Sequence, residues 1–195
     1  MSAGNMNKRS VSQTKRAIME AALNLFVKHG FTRTTMRMIA KEANISVGAL
    51  YLHFKNKEAL CLFILREKLG ELFRKLEDVT RNKTKAEEKL KAFMGTCIEY
   101  AKDNRELIVA HSAEKGFTFG LEIKKEYSAK QRGLIKEIVL EGIRTGEFKE
   151  IDVEGVANTV MALIRGFVLS LVIDEECNLK EKDYFLPLFY GLKKG

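Results

Sequence analysis

The sequence predicts an all-α protein with an N-terminal three-helix domain that contains a helix-turn-helix and a longer C-terminal helical domain. Apolar residues recur at the three- and four-residue spacing of helices along the chain, without convincing strand-like alternation. Pro187 is the one proline in 195 residues, and no Pro/Ser-rich linker separates the segments. We therefore expect abutting helices, with domains at residues 12–57 and 58–195.

The first predicted helix covers residues 14–29. Ser12 or Thr14 can cap its start, and Gly30 follows its end. Phe31 can then fold back onto the same core. The apolar stripe of this helix consists of Ala17, Ile18, Ala21, Ala22, Leu25 and Phe26.

Residues 34–57 form two short predicted helices joined by a tight turn. Thr35 can cap the first helix, and Asn44-Ile45-Ser46 supplies the turn. Ser46 can cap the second helix, residues 47–54, which begins with small residues and ends in phenolic and imidazole groups. This spacing is typical of a helix-turn-helix that enters a DNA major groove.

Six further helices complete the predicted architecture. They lie at about residues 57–80, 84–102, 104–115, 119–145, 153–174 and 180–193, and they are separated by short polar or glycine-containing breaks. Pro187 should kink the last of them.

The net charge is concentrated at the N-terminus. Residues 1–57 contain ten Lys and Arg residues and two acids, so this segment accounts for the whole formal charge of +8. A charge run can be an ordinary solvated face. Because this one coincides with the helix-turn-helix, it favours binding of that end to a polyanion.

Enzymatic and metal-dependent functions find little support in the sequence. There is no phosphate-binding glycine loop and no His/Cys set with metal-ligand spacing, and the three histidines lie far apart without a nucleophile nearby. We expect no catalytic residues, no metal site and no cofactor. Cys61, Cys97 and Cys177 are interpreted as buried apolar residues, with a redox-sensing thiol as the alternative.

The sequence also predicts a cytoplasmic protein without a membrane partner. No apolar segment follows the basic N-terminus, so no secretory signal is evident. The longest apolar run, residues 156–173, carries Arg165 in its middle and is interpreted as a buried or interface helix.

Three motifs lie in order between residues 21 and 60. They are A-A-L-x-L-F-x-x-x-G-F at 21–31, T-T-M-R-M-I-A-K-E-A-N-I-S-V-G-A-L-Y-L-H-F at 34–54 and K-N-K-E-A-L at 55–60. This pattern resembles the TetR (tetracycline-repressor-like) family of transcriptional regulators. The resemblance implies a homodimeric, ligand-responsive repressor that binds a pseudo-palindromic duplex operator.

The resemblance implies DNA contacts from both helices of the motif. Thr35 and Arg37 would touch phosphate, and Tyr51 and His53 would bind the DNA backbone. Lys57, at the start of the long helix, would bind a phosphate with the help of the helix dipole. The groove would be faced by Ser46, Val47, Gly48, Ala49 and Leu52, and Lys55 would belong to the same contact surface.

Two positions depart from the pattern of the family. Val47 lies where a lysine or arginine is frequent, and Leu52 lies where a polar residue is common. Both residues lack hydrogen-bonding reach. We therefore expect few direct base contacts, with Val47, Ala49 and Leu52 touching thymine methyl groups and part of the specificity arising from DNA shape.

The resemblance also implies dimerisation and a small-molecule effector site in the C-terminal helices. Residues 153–174 and 180–193 could form a four-helix bundle with a second copy, although 153–174 could instead be a central core helix of one subunit. Arg165 is expected to form a structural ion pair, with an acidic effector as the alternative. Candidate effector residues are Phe63, Phe93, Met94, Tyr100, His111, Phe117, Phe119, Met161, Arg165 and Phe167, many of which could be ordinary core.

A helical interaction protein whose basic end binds RNA or an anionic membrane is the rival interpretation. Single-strand RNA readers usually stack bases on a sheet, which this sequence does not predict. A preference for duplex DNA with steep salt dependence would separate the two interpretations.

Overall fold

The computed structural model describes residues 3–115, 119–173 and 191–192, with side chains from residue 12 onward except those of 111 and 113–115. Within these residues the chain forms eight α-helices and no strand, which confirms the predicted fold class. They are α1 (Ala3–Arg33), α2 (Met36–Glu42), α3 (Val47–His53), α4 (Lys57–Arg81), α5 (Ala86–Asp103), α6 (Arg105–Lys115), α7 (Leu121–Thr145) and α8 (Val153–Ile173).

Most helix boundaries agree with the sequence patterns. The exception is α1, which begins at Ala3 rather than near residue 14. The helix expected at 180–193, apart from residues 191–192, lies outside the described residues, as do Cys177 and Pro187.

The described chain is divided into two compact units. The N-terminal unit comprises residues 1–67 and 106–120, and the C-terminal unit comprises residues 68–105 and 121–195. The division falls within α4 rather than at residue 57, because Leu60, Cys61 and Ile64 of α4 are buried in the N-terminal core.

The core of the N-terminal unit joins α1, α2, α3 and the start of α4. Gly30 interrupts α1 with a φ of 78°, a left-handed conformation that glycine adopts at little cost. Phe31 thereby turns back onto Phe26, with their ring centroids 5.2 Å apart, as the sequence predicted. The principal buried side chains are Ile18, Ala22, Leu25, Phe26, Phe31, Ile39, Ala40, Leu50, Phe54 and Leu60.

The core of the C-terminal unit is built from α5, α7 and α8 with the end of α4. Its largest buried side chains include Leu76, Leu90, Phe93, Met94, Ile135, Ile138, Phe148 and Leu192. Burial raises the pKa of the Cys97 thiol in this core to about 12, so the thiol is neutral near pH 7.

Helix α8 is apolar on more than its buried side. Seven of its residues, Val156, Ala157, Val160, Met161, Ile164, Phe167 and Leu171, are buried. Leu163, Leu169 and Ile173 are exposed on the other side. By length and composition alone α8 could cross a membrane, but core helices pass the same test, so this is weak evidence for a span.

Candidate nucleic-acid interface

The turn between α2 and α3 is fixed by local hydrogen bonds. The Thr35 hydroxyl accepts from the Met38 N–H at 3.2 Å, and the Ser46 hydroxyl accepts from the Ala49 N–H at 3.0 Å, so each helix has the cap that the sequence predicted. Asn44 adopts a φ of 53°, which asparagine tolerates better than most residues. Residues within the helix-turn-helix therefore fix its turn and the start of each of its helices.

Helix α3 has a buried side and a strongly exposed side. Leu50 is fully buried, and Phe54, which follows the helix, is also buried. On the other side Val47, Tyr51 and Leu52 are 37%, 51% and 87% exposed. Three large, mainly apolar side chains are thus exposed on one short helix, and an exposed patch of this kind suits contact with a partner.

The residues expected to contact DNA all lie in the N-terminal unit. Ala49 and His53 are half-buried. The exposed members of the set are Thr35, Arg37, Ser46, Val47, Gly48, Tyr51, Leu52 and Lys55. Although the Thr35 and Ser46 oxygens accept the capping bonds, each hydroxyl keeps a proton that it can donate to a phosphate.

Gly48 has no packing reason to be glycine. A Cβ built at this position would meet only the Ser46 hydroxyl oxygen, at 4.0 Å. Glycine lowers helix stability relative to alanine, so its use here at the exposed start of α3 fits close approach of a partner to the backbone.

Lys57 begins α4, as the sequence predicted, but its side chain makes contacts that the sequence did not predict. Its ammonium donates to the carbonyl oxygens of Phe31, Thr32 and Thr34, at 3.2 Å for Thr32 and 2.7 Å for Thr34. The nitrogen also lies 4.3 Å from the Phe31 ring centroid. These carbonyls take all three ammonium donors, so this geometry does not support the predicted phosphate contact by the Lys57 side chain.

Two residues outside the expected set of DNA contacts support the N-terminal unit. The Thr34 hydroxyl is buried and lies 3.1 Å from the Leu25 carbonyl oxygen and 2.7 Å from that of Gly30. The Asn56 side chain accepts from the Ala59 N–H at 2.8 Å and thereby caps α4. Asparagine before a helix is a recognisable cap signal, whereas the role of Thr34 depends on tertiary contacts.

The predicted effector residues do not form one site among the described side chains. Phe93, Met94, Met161 and Phe167 are buried in the C-terminal unit, the first three within its main core. Phe63 and Phe119 instead pack against the core of the N-terminal unit. The Phe117 position and the His111 side chain lie outside what is described.

Tyr100 lines a cleft of about 540 Å³ in the C-terminal unit. Its hydroxyl lies 3.0 Å from the Lys68 carbonyl oxygen and 3.3 Å from the Glu71 carboxylate. Burial and the Glu71 charge raise the pKa of Tyr100. The other lining residues are Lys75, Lys83, Glu88, Lys91, Ala92, Gly95, Thr96, Glu99 and Asp103, a mixture of both charges that selects for neither sign.

Arg165 is exposed on α8, and its guanidinium Nη2 donates to the Ser128 hydroxyl on α7 at 2.6 Å. Among the described residues no carboxylate forms an ion pair with it. The expected structural ion pair is therefore absent from the described part of the chain, because Arg165 faces outward and bonds to a neutral hydroxyl.

Comparison with known proteins places these features in a family. Residues 18–62 match the family described as bacterial regulatory proteins, tetR family. The chain is 26% identical over 163 residues to a fatty acid metabolism regulator protein of Bacillus subtilis, which covers 82% of this chain and 84% of that protein. It is also 28% identical over 151 residues to the HTH-type transcriptional repressor KstR2 of Rhodococcus jostii, with 73% and 72% covered.

The fold has a solved counterpart as well. The Bacillus subtilis transcriptional regulator FadR, crystallised in complex with stearoyl-CoA, superposes with a TM-score of 0.75 at 23% identity, over 90% of this chain and 98% of that one. The matched family segment runs from α1 to the first turns of α4 and contains the surface described above. The relatives are transcriptional regulators rather than enzymes, and this chain belongs to the tetR family of bacterial DNA-binding transcriptional regulators.

Proposed function

We propose that the protein is a cytoplasmic, homodimeric repressor that binds a pseudo-palindromic duplex operator and leaves it when a small molecule binds the C-terminal unit. The observation that carries this proposal is the outward side of α3, where Leu52 is 87% exposed beside Val47 and Tyr51. Residues 1–57, which present this side, also hold the whole positive excess of the chain.

The proposed contacts with phosphates and bases follow from the chemistry of each side chain. Arg37 and Lys55 contribute charge to phosphate contacts, and the Thr35 and Ser46 hydroxyls donate hydrogen bonds. Further backbone contacts come from Tyr51 and His53. The apolar groups of Val47, Ala49 and Leu52 contact thymine methyls, while Gly48 permits close approach. Specificity then depends partly on the shape and deformability of the operator.

Dimerisation is proposed through the outer side of α8. Leu163 and Leu169 are 39% and 42% exposed there, and a Cβ on Gly166 would meet nothing within 4 Å. An apolar strip with a small residue in its middle is suited to close packing against a second helix. The segment at 180–193 was predicted to join this interface and remains part of the proposal.

The effector is proposed to be a long-chain acyl-CoA. The support is the similarity to a fatty acid metabolism regulator and to a regulator crystallised with stearoyl-CoA. The C-terminal unit, with a largely apolar interior, is the part of the chain suited to hold such a ligand.

Footprinting on genomic fragments selected by the purified full chain tests the proposal. We expect two symmetric protected half-sites whose centres are about one helical turn apart. Stearoyl-CoA should remove the protection, and CoA alone should not. A single asymmetric footprint would contradict the dimeric mode of binding, whereas protection that persists with stearoyl-CoA would contradict the proposed effector.

A further inference from the structure

Arg132 on α7 has a buried polar atom without a partner. Its guanidinium Nε is shielded from solvent, and no atom of the described structure accepts a hydrogen bond from it. A buried donor on a charged group is costly when it is left unpaired. A bound molecule that accepts a hydrogen bond could satisfy this donor.

A second arginine reaches the same side of α7. Arg165 of α8 donates to the Ser128 hydroxyl at 2.6 Å, and Ser128 lies four residues before Arg132. Residues four apart on a helix share a face. Arg165 therefore bonds to the face of α7 that also carries Arg132.

No counter-ion for these two guanidinium groups is found among the described side chains. Three nearby acids are paired with lysines, and Glu137, the next acid along α7, forms no ion pair with either arginine among the described residues. Glu122 binds Lys125 at 2.9 Å, Glu126 binds Lys130 at 2.8 Å, and Glu154 binds Lys136 at 2.5 Å. Two positive charges on one side of α7 repel each other, so an anion bound on that side would be stabilised by both.

Gln131, the residue before Arg132, indicates where an apolar part of a bound anion would lie. Gln131 is 8% exposed and lies on the core side of α7, one turn from the fully buried Ile135. Thr80 is also buried in this unit, and its hydroxyl lies within hydrogen-bond distance of the Leu76 and Glu77 carbonyl oxygens. The Gln131 amide, by contrast, forms no hydrogen bond among the described residues. Apolar core and unpaired polar groups thus meet at this turn of α7.

We propose that Arg132, Arg165 and Ser128 form a binding site for the anionic group of an amphipathic effector, a carboxylate or a phosphate, with the apolar part directed toward the core beside Gln131. The planar fork of a guanidinium matches the oxygens of either group. The identity of the ligand as an acyl compound rests on the proposed function, whereas the anion site rests on the residues described here.

Calorimetric titration of the full chain with stearoyl-CoA, stearate and CoA tests this site. Arg132→Met and Arg165→Met should each weaken binding of the probe that binds the wild type by about 10- to 100-fold. Lys136→Met, on the next turn of α7, is the matched control and should bind within about twofold of the wild type. Comparison of stearate with CoA shows whether a carboxylate or the phosphates occupy the site.

Thermal unfolding without ligand separates binding from folding. Because the Arg132 Nε has no partner, Arg132→Met should melt at or above the wild-type temperature. Wild-type affinity in both arginine variants would overturn the site. If the wild type binds none of the acyl probes, the proposed effector fails, and pyrophosphate then tests the site alone. In that case stabilisation of the wild type but not of Arg132→Met supports the site, and equal stabilisation or none overturns it.

Discussion

The Lys57 ammonium lies 4.3 Å from the Phe31 ring centroid and donates a hydrogen bond to the Phe31 carbonyl oxygen. Together with the Thr32 and Thr34 carbonyls, this contact ties the first residue of α4 to the end of α1. The break at Gly30 leaves carbonyls at the end of α1 that need donors, and Lys57 supplies them. Lys57, which the sequence predicted to bind a phosphate, thus stabilises the N-terminal unit.

Substitution of Lys57 should therefore affect stability more than salt dependence. Lys57→Met removes three charge-assisted hydrogen bonds and a cation–π contact, and we expect it to lower the free energy of unfolding by about 2–4 kcal/mol. In the folded variant, the slope of log affinity against log salt for duplex DNA should stay at the wild-type value. Thermal unfolding and fluorescence anisotropy measure the two quantities.

Lys55→Met is the matched control, since Lys55 is exposed and lies two residues away. It should leave stability within about 0.5 kcal/mol of the wild type and reduce the magnitude of the salt slope by about 0.9. The reverse pattern, with a reduced slope and unchanged stability for Lys57→Met, would show that the Lys57 ammonium binds phosphate.

Gly48→Ala separates folding from DNA binding. With no atom nearer than 4.0 Å to the added Cβ, the variant should be as stable as the wild type or more stable by up to about 1 kcal/mol. Its affinity for duplex DNA should nevertheless fall, because the methyl group obstructs approach to α3. Gly95→Ala, which also adds a methyl group in open space, should bind DNA normally. Unchanged DNA affinity in Gly48→Ala would contradict the proposed docking of α3.

Leu52→Ala tests the apolar mode of base recognition. Because Leu52 is so exposed, its truncation should change stability by less than about 0.5 kcal/mol. Affinity for the operator should fall by about 1 kcal/mol, whereas affinity for random duplex should not change, since the lost contact is with bases. Leu140→Ala, at another exposed leucine, should alter neither affinity. Equal losses on operator and random duplex would show that Leu52 does not read sequence.

A charge on the outer side of α8 should dissociate the dimer. Leu169→Glu places a carboxylate on the proposed interface, where burial without a partner is unfavourable. We expect monomers in analytical ultracentrifugation, with helical content retained. Val27→Glu replaces a side chain of similar exposure, 41% against 42%, and should leave the dimer intact. Dimers that persist in Leu169→Glu would place the interface elsewhere.

The N-terminal unit could be predicted closely because its signals are local. Helix caps at Thr35 and Ser46, the break at Gly30 and the apolar spacing of α1 depend on residues within a few positions of one another. The role of Lys57 could not be predicted in this way. Its partners lie 23 to 26 residues earlier, and only the folded chain brings their carbonyls to the ammonium.

The effector residues were harder to predict for a different physical reason. An aromatic or methionine at helical spacing packs equally well in a core or along a ligand, and Phe93, Met94 and Met161 pack in the core. Packing between helices likewise determines whether Arg132 and Arg165 have partners. The pattern of one helix therefore does not show which charges are left unpaired.

The central claim, that the outward side of α3 on a basic unit binds duplex DNA, is tested most directly by a salt titration. Binding of the full chain to duplex DNA, single-stranded DNA and anionic vesicles is measured from low to physiological salt. We expect a preference for duplex DNA and a steep negative slope of log affinity against log salt, about −0.9 for each phosphate contact. A shallow slope, or a preference for single strands or vesicles, would contradict the account.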